Sequence, residues 1–372
     1  MAKRILIVSD PPAAPGYLPR LRALCDYLVK RGHSIVLLTE EYQPLLFAHD
    51  YPVQTIRMYS GSTFDWFVKS VWTLLTGWHD RAFAKRAMTI IKRENLSFDI
   101  VLCTTFNDFP LTASQRIADT LGLPLVCDIR DLDEQVDDSR YQYKHQSRWL
   151  MPFRRIYRAV HIRRRNSVLR AADAITSVSP WHAEFIKQFN PNVHVVYNGY
   201  DDKQFYPENI PVGRFTVTYI GSLFAWQQPA LEKVKQAVDA LNAQHPTCNI
   251  IVDLHTPAVN PVPYDALGDT IRHSGIMLVL TNEHTHGMLT TKFYEALGCE
   301  KPILCVPSDN GSLAELIEYT HAGLATNDME QIKAFIRTQY NEWQLNGFTR
   351  QATQHREEFS REAQCRLMET VL

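Results

Sequence analysis

Short apolar, β-branched runs recur along the first half of the chain, and the stretches between them carry apolar residues at helical spacing. RILIVS (4–9), SIVLLT (34–39), VQTIRM (53–58), DIVLCT (99–104), LPLVCDIR (123–130), AITSV (174–178) and VHVVYN (193–198) read as strands. Most are apolar on both faces and bounded by turn residues, the pattern of parallel strands covered by helices. The spacing predicts helices over 18–30, 66–94, 111–121, 152–172 and 182–189. Strand and helix in alternation give βα units and an open parallel sheet.

At Asn198-Gly199-Tyr200-Asp201 the chain turns, and a polar stretch with Pro207 and Pro211 follows. The alternation then restarts. FTVTYIGSL from Phe215, CNIIVDL, IMLVL, PILCV and AGLAT read as strands, with helices over 228–245, 264–273 and 312–319 and a helical tail over 329–372. The chain is thus expected to be α/β, with two Rossmann-like domains facing a cleft. The domains span 1–198 and 199–352, and a C-terminal helix, 353–372, packs back on the first. Ligands are expected where strand C-termini open.

Composition narrows the class. With 372 residues, 45% hydrophobic and 21% charged, the chain is long enough for two cores and ordinary for a globular protein. A net charge of −1 argues against a general nucleic-acid binder. The seven cysteines (25, 103, 127, 248, 299, 305, 365) form no C-x-x-C pair, and Cys103, Cys127 and Cys305 sit inside strand-like runs. They read as buried hydrophobes in a reducing compartment. The run ILIV is too short for a signal peptide, and no stretch approaches the roughly 18–20 apolar residues of a membrane span. A cytoplasmic location follows, with room for attachment to a membrane surface.

Five segments carry candidate chemistry. TTKFYEALGCEKPILCV (290–306) reads as loop, short helix and buried strand. Lys292 and Glu295 share one face of that helix, whose N-terminus suits an anion. The lysine fits a diphosphate and the carboxylate fits ribose hydroxyls; a surface ion pair is the plainer alternative. SDPPAAPGYLPR (9–20) brings the Gly16 backbone close to a ligand but is no G-x-G-x-x-G fingerprint. In CTTFNDFP (103–110), Asn107 and Asp108 contact a ligand or cap a helix. CDIRDLDEQ (127–135) places Asp128, Arg130 and Asp131 after a buried strand, as an internal ion cluster or as sugar ligands with Asp131 as base or stabiliser. YIGSLFAW (219–226) ends a strand at Gly221, where a bare backbone and the Ser222 hydroxyl suit a phosphate.

Residues 140–170 hold nine Arg and one Lys without an Asp or Glu, interleaved with aromatics, and FDWFVKSVWTLLTGW (64–78) carries three Trp. Such a basic, aromatic surface suits anionic lipid or a pyrophosphate-lipid acceptor, through Arg154, Arg155, Arg163, Arg164 and Arg165. The alternative is a packed Trp face beside a solvated Arg face.

The ordered set SDPPAAPG, CTTFNDFP…GLPLVCDIRDL, RAADAITSVSPWHAEFI, VVYNGYDDKQF, TYIGSL and TTKFYEALGCEKPIL resembles glycosyltransferases of the GT-B fold. The resemblance is to family-4-like bacterial enzymes of polysaccharide and lipopolysaccharide biosynthesis, and it covers nearly the whole chain. It implies a hexosyl transferase that retains configuration; no convincing D-x-D follows a strand of the second domain, so the reaction is expected to need no metal, and no other cofactor is expected. The donor is a nucleotide sugar, and the acceptor is a glycan, lipid-linked, at the inner face of the cytoplasmic membrane. By the same resemblance Lys292 contacts the diphosphate and Glu295 the ribose. Gly221 and Ser222 with Gly287, Met288 and Leu289 line the phosphate pocket. Asp131 and Gly16 face the reacting centre, with Asp128 and Arg130 on the acceptor side.

The chain also departs from the family. Members often carry Arg and Lys soon after the strand that ends here at Gly221, where this chain has FAWQQP. Many retaining members place a Glu eight residues before the ribose Glu; position 287 is Gly. His284, His286 and Glu283 are the nearby replacements or a weak metal set, and the 254–276 stretch is short. A sugar-nucleotide epimerase and a non-catalytic sugar-nucleotide or glycan-binding relative are the alternative readings.

Overall fold

The computed structural model describes the chain except for residues 1, 11–17, 42–49, 60–62, 106–108, 136–150, 245–247 and 282–286 and the side chains of 18, 63, 64, 66, 67 and 151–154. The chain forms two compact units, Met1–Tyr197 with Cys365–Leu372, and Asn198–Gln364.

The first unit is built on seven parallel strands: β1 (Arg4–Ser9), β2 (Ser34–Glu40), β3 (Val53–Ile56), β4 (Ile100–Thr105), β5 (Leu125–Ile129), β6 (Ala174–Ser177) and β7 (Val193–Val195). Their order is β3-β2-β1-β4-β5-β6-β7, the doubly wound arrangement that opens ligand loops at strand C-termini. Alternate residues of each strand fill two cores. Leu6, Val8, Val36, Val101 and Cys103 lie in one and Ile5, Ile7, Ile35, Ile100 and Leu102 in the other. That is why the central stretches of these strands are apolar on both faces. Cys365, Met368 and Leu372 join the second of these cores.

The second unit carries β8 (Thr216–Ile220), β9 (Ile251–His255), β10 (Ile276–Leu280), β11 (Ile303–Val306) and β12 (Gly323–Ala325), all parallel in the order β12-β11-β10-β8-β9. Both units are thus the Rossmann-like α/β layers that the periodicity predicts.

Helix boundaries differ where the chain uses left-handed residues. The helix expected over 66–94 is two, Thr63–Thr76 and Trp78–Arg93, broken at Gly77 with φ 65°. The tail is not one helix: Met329–Asn346 stops at Gly347 (φ 78°), whose N–H returns to Trp343 O at 2.7 Å. A 3₁₀ turn, Arg356–Phe359, and the helix Arg361–Val371 follow. Residues 353–364 belong to the second unit. Gln354 N donates to Thr320 O, and Tyr200 N to Phe359 O. At the NG turn, Gly199 (φ 65°) leaves no room for a side chain, since a Cβ there would lie 2.9 Å from Phe359 O.

Candidate functional site

In the second unit, β8 ends in a loop held from below. Tyr219, fully buried, donates its hydroxyl to Ser222 O at 2.6 Å. Gln227 accepts from Phe224 N at 2.8 Å and donates to Leu280 O at 2.9 Å, at the end of β10. Gly221 N donates to His255 O at 2.7 Å, at the end of β9. The backbone of 221–227 is therefore fixed by side chains that lie beneath it, and Ser222 is exposed on top.

Next to this loop stands the helix Thr291–Gly298. Thr290 caps it, accepting from Lys292 N at 3.4 Å, so its first N–H groups and its positive dipole end are oriented by a built cap. The Lys292 side chain runs back over the loop, its Nζ 5.4 Å from the centre of the Tyr219 ring. A Cβ on Gly221 would lie 2.8 Å from Lys292 Cε and 2.9 Å from Nζ. Together with φ 122° at Gly221, this explains the glycine: the ammonium occupies the space that a side chain would take.

Burial lowers the Lys292 ammonium below its usual range, against the opposing charge of Glu295. Burial likewise raises the Glu295 carboxyl, opposed by Lys292, Arg361 and the Thr291 hydroxyl. Two interacting groups, each pushed by burial toward its neutral form, mark a candidate site for a charged ligand. Arg361 also donates to the Tyr264 hydroxyl at 3.1 Å and lies 3.9 Å from Asp201. Neither Arg361 nor Tyr264 is legible as a site neighbour in sequence, because each reaches Glu295 from a remote segment. Gly287 is buried with φ 61°, a left-handed conformation that strains most other residues; Leu289 is buried and Met288 exposed. Glu283, His284 and His286 lie outside the described residues.

In the first unit the DIRD segment separates its two carboxylates. Asp128 is buried between strands: it accepts from Thr104 Oγ1 at 2.9 Å, Thr176 Oγ1 at 2.8 Å and Arg20 Nη2 at 3.0 Å. Burial alone would raise its pKa, but Arg20, Arg130 and the two hydroxyls hold it below the ordinary carboxylate range. Arg20 further donates to Val196 O and Tyr197 O at 3.2 and 2.5 Å. Asp128 is thus a structural anchor rather than an acceptor ligand, and its ion partner is the remote Arg20. Arg130 is also buried. Asp131, two residues beyond β5, is half-buried, and burial with the nearby charges of Asp10 and Asp133 outweighs Arg130 and lifts its carboxyl to about 6. A carboxylate poised there can exchange a proton near neutral pH. Gly16, Asn107 and Asp108 lie outside the described residues.

The basic run resolves into different roles. Arg165 is buried and forms a two-pronged pair with Glu134, at 2.9 and 2.6 Å. Arg164 donates to Thr73 O at 3.1 Å and Leu74 O at 2.8 Å, capping the helix Thr63–Thr76. These two arginines are committed to the fold and are not available to a lipid surface. Arg155 and Arg163 are exposed; the Arg154 side chain and residues 140–150 lie outside the described set. Among the described residues no group of three His, Cys, Asp or Glu is placed to hold a metal, and no helix is long and apolar enough to cross a membrane.

The sequence profile of Glycosyltransferase Family 4 matches residues 20–204. No curated protein matches the chain in sequence. Solved structures match along its whole length. A glycosyltransferase from Rickettsia africae aligns over 100% of this chain and 97% of its own, at 13% identity and TM-score 0.60. Anabaena HepE, in complex with UDP-glucose, aligns over 100% of both chains at 13% identity and TM-score 0.60. An alpha-glucosyltransferase in complex with UDP covers 100% and 99%, at 12% identity and TM-score 0.54. Residues 20–204 thus resemble Glycosyltransferase Family 4 in sequence, and the full chain has the two-unit α/β fold of solved GT-B glycosyltransferases.

Proposed function

We propose that the chain transfers a hexosyl group from a UDP-sugar to a lipid-linked glycan during assembly of a surface polysaccharide, working at the inner face of the cytoplasmic membrane. The observation that carries the donor half is the Lys292 ammonium lying over bare Gly221, beside the Thr290-capped helix start. A diphosphate placed there would meet one cation, oriented N–H groups and a hydroxyl from Ser222, all donors that need no reorganisation as the leaving group gains charge. Glu295 is the ribose ligand in this reading. The preference for uridine rests on the UDP-glucose and UDP complexes of the similar folds. Asp131 takes or stabilises the proton of the acceptor hydroxyl, and the stereochemistry is retention. The cationic work falls to Lys292 and helix N-termini without a metal.

Calorimetric titration with UDP, GDP and their sugars tests this. UDP should bind the wild type, and Lys292→Ala should weaken it about 10- to 100-fold, the worth of roughly 1.5–3 kcal/mol for charge-assisted bonds. Glu295→Ala should weaken UDP as well. Absence of binding by every nucleotide would reject the reading. One observation favours a second reading, a sugar-nucleotide-binding relative without turnover: no cation follows Gly221 in FAWQQP. UDP-sugar binding without transfer to any native lipid extract would select it.

A further inference from the structure

The helix Thr63–Thr76 presents an apolar stripe to solvent. Val68, Val71, Trp72 and Leu75 are 47%, 44%, 54% and 70% exposed, and their i, i+3, i+4, i+7 spacing puts them within an arc of about 100°. Such a stripe ordinarily faces a core. The helix turns its charges elsewhere: Lys69 pairs with Asp65 at 2.7 Å, donates to Met58 O at 3.0 Å and lies over the Tyr59 and Trp78 rings. The helix Met151–Ala171 is fixed to it through Arg164, whose guanidinium holds Thr73 O and Leu74 O. That second helix adds Ile156, 58% exposed, together with exposed Arg155 and Arg163.

We infer that this helix pair is a membrane-docking surface: the Val68–Val71–Trp72–Leu75 stripe enters the headgroup boundary of an anionic bilayer, and Arg155 and Arg163 meet its phosphates. The inference deepens the membrane part of the proposed function. Charge complementarity selects the occupant. A second copy of the chain would set these arginines against its own, whereas anionic lipid offers apolar depth and negative charge together. Arg164 ties the two helices together through the Thr73 and Leu74 carbonyls.

The test uses the full chain floated on vesicles of phosphatidylcholine with one-quarter phosphatidylglycerol, and on phosphatidylcholine alone. The wild type should float with the anionic vesicles. Trp72→Gln with Leu75→Gln should lower partition at least tenfold, and Arg155→Gln with Arg163→Gln should lower it on anionic vesicles only. All three proteins should keep one thermal transition profile and the same UDP affinity, so nucleotide binding and docking can fail separately. A wild type that does not float, or a Trp72/Leu75 variant that floats like it, overturns the inference. So does a wild-type dimer that the same double change dissociates without any effect on flotation.

Discussion

Asp131→Asn should stabilise the protein, by an amount that grows with pH. The carboxyl moves from 3.8 to about 6 on folding, chiefly through burial, and a shift of that size corresponds to about 3 kcal/mol. Asp131 is only half-buried, so water screens part of the effect and about 1–3 kcal/mol is the expected range. The sign follows from proton counting. Between pH 4 and 6 the folded state holds more protons at this site than the unfolded chain, so wild-type stability falls as pH rises through that window. Asparagine does not titrate. The difference in stability, variant minus wild type, should therefore climb from about pH 4 and level off above about pH 7. Urea unfolding of both proteins at pH 4, 5, 6, 7 and 8 measures it. A difference that is flat across this range, or a variant less stable at pH 8, would refute the reasoning. The same substitution should lower transfer about 10²- to 10⁴-fold if Asp131 is the base, and wild-type transfer should rise with ionisation through about pH 6.

Three residues earlier the sign reverses: Asp128→Ala should destabilise by about 3–5 kcal/mol in urea unfolding, because Arg20 and two hydroxyls lose their buried acceptor. Arg164→Gln should cost about 1–3 kcal/mol by removing charge-assisted bonds to the last carbonyls of the helix Thr63–Thr76, and circular dichroism should show lost helix at elevated temperature. A change below 0.5 kcal/mol would mean that solvent replaces that cap.

The strands were legible because most are apolar on both faces, a pattern that survives without knowledge of partners. Helix ends were less so. The break at Gly77 and the stop at Gly347 are single left-handed residues inside otherwise helical spacing, and spacing alone does not report φ. Lys292 and Glu295 were readable as candidates because a capped helix start and an i,i+3 pair are local. Their supporting shell was not. Tyr219, Gln227, Tyr264 and Arg361 act through contacts with remote segments, and nothing near them in the chain announces it.

The arginine run shows how composition misleads about chemistry. Its ten cations stand without an acid between 140 and 170, which reads as a face prepared for negative charge. Yet the acid that neutralises Arg165 sits at Glu134, just outside the counted window, and Arg164 spends its charge on two backbone carbonyls. Counting charges gives the sign of a segment, whereas only geometry assigns each charge a destination. The consequence is practical. Neutralising Arg154, Arg155, Arg163, Arg164 and Arg165 together would remove a helix cap and a buried ion pair along with any lipid contact. Lost flotation in that variant would then report unfolding as readily as lost docking. Restricting the change to exposed Arg155 and Arg163, with Trp72 and Leu75 tested apart, leaves the fold's own arginines in place and makes the membrane question answerable.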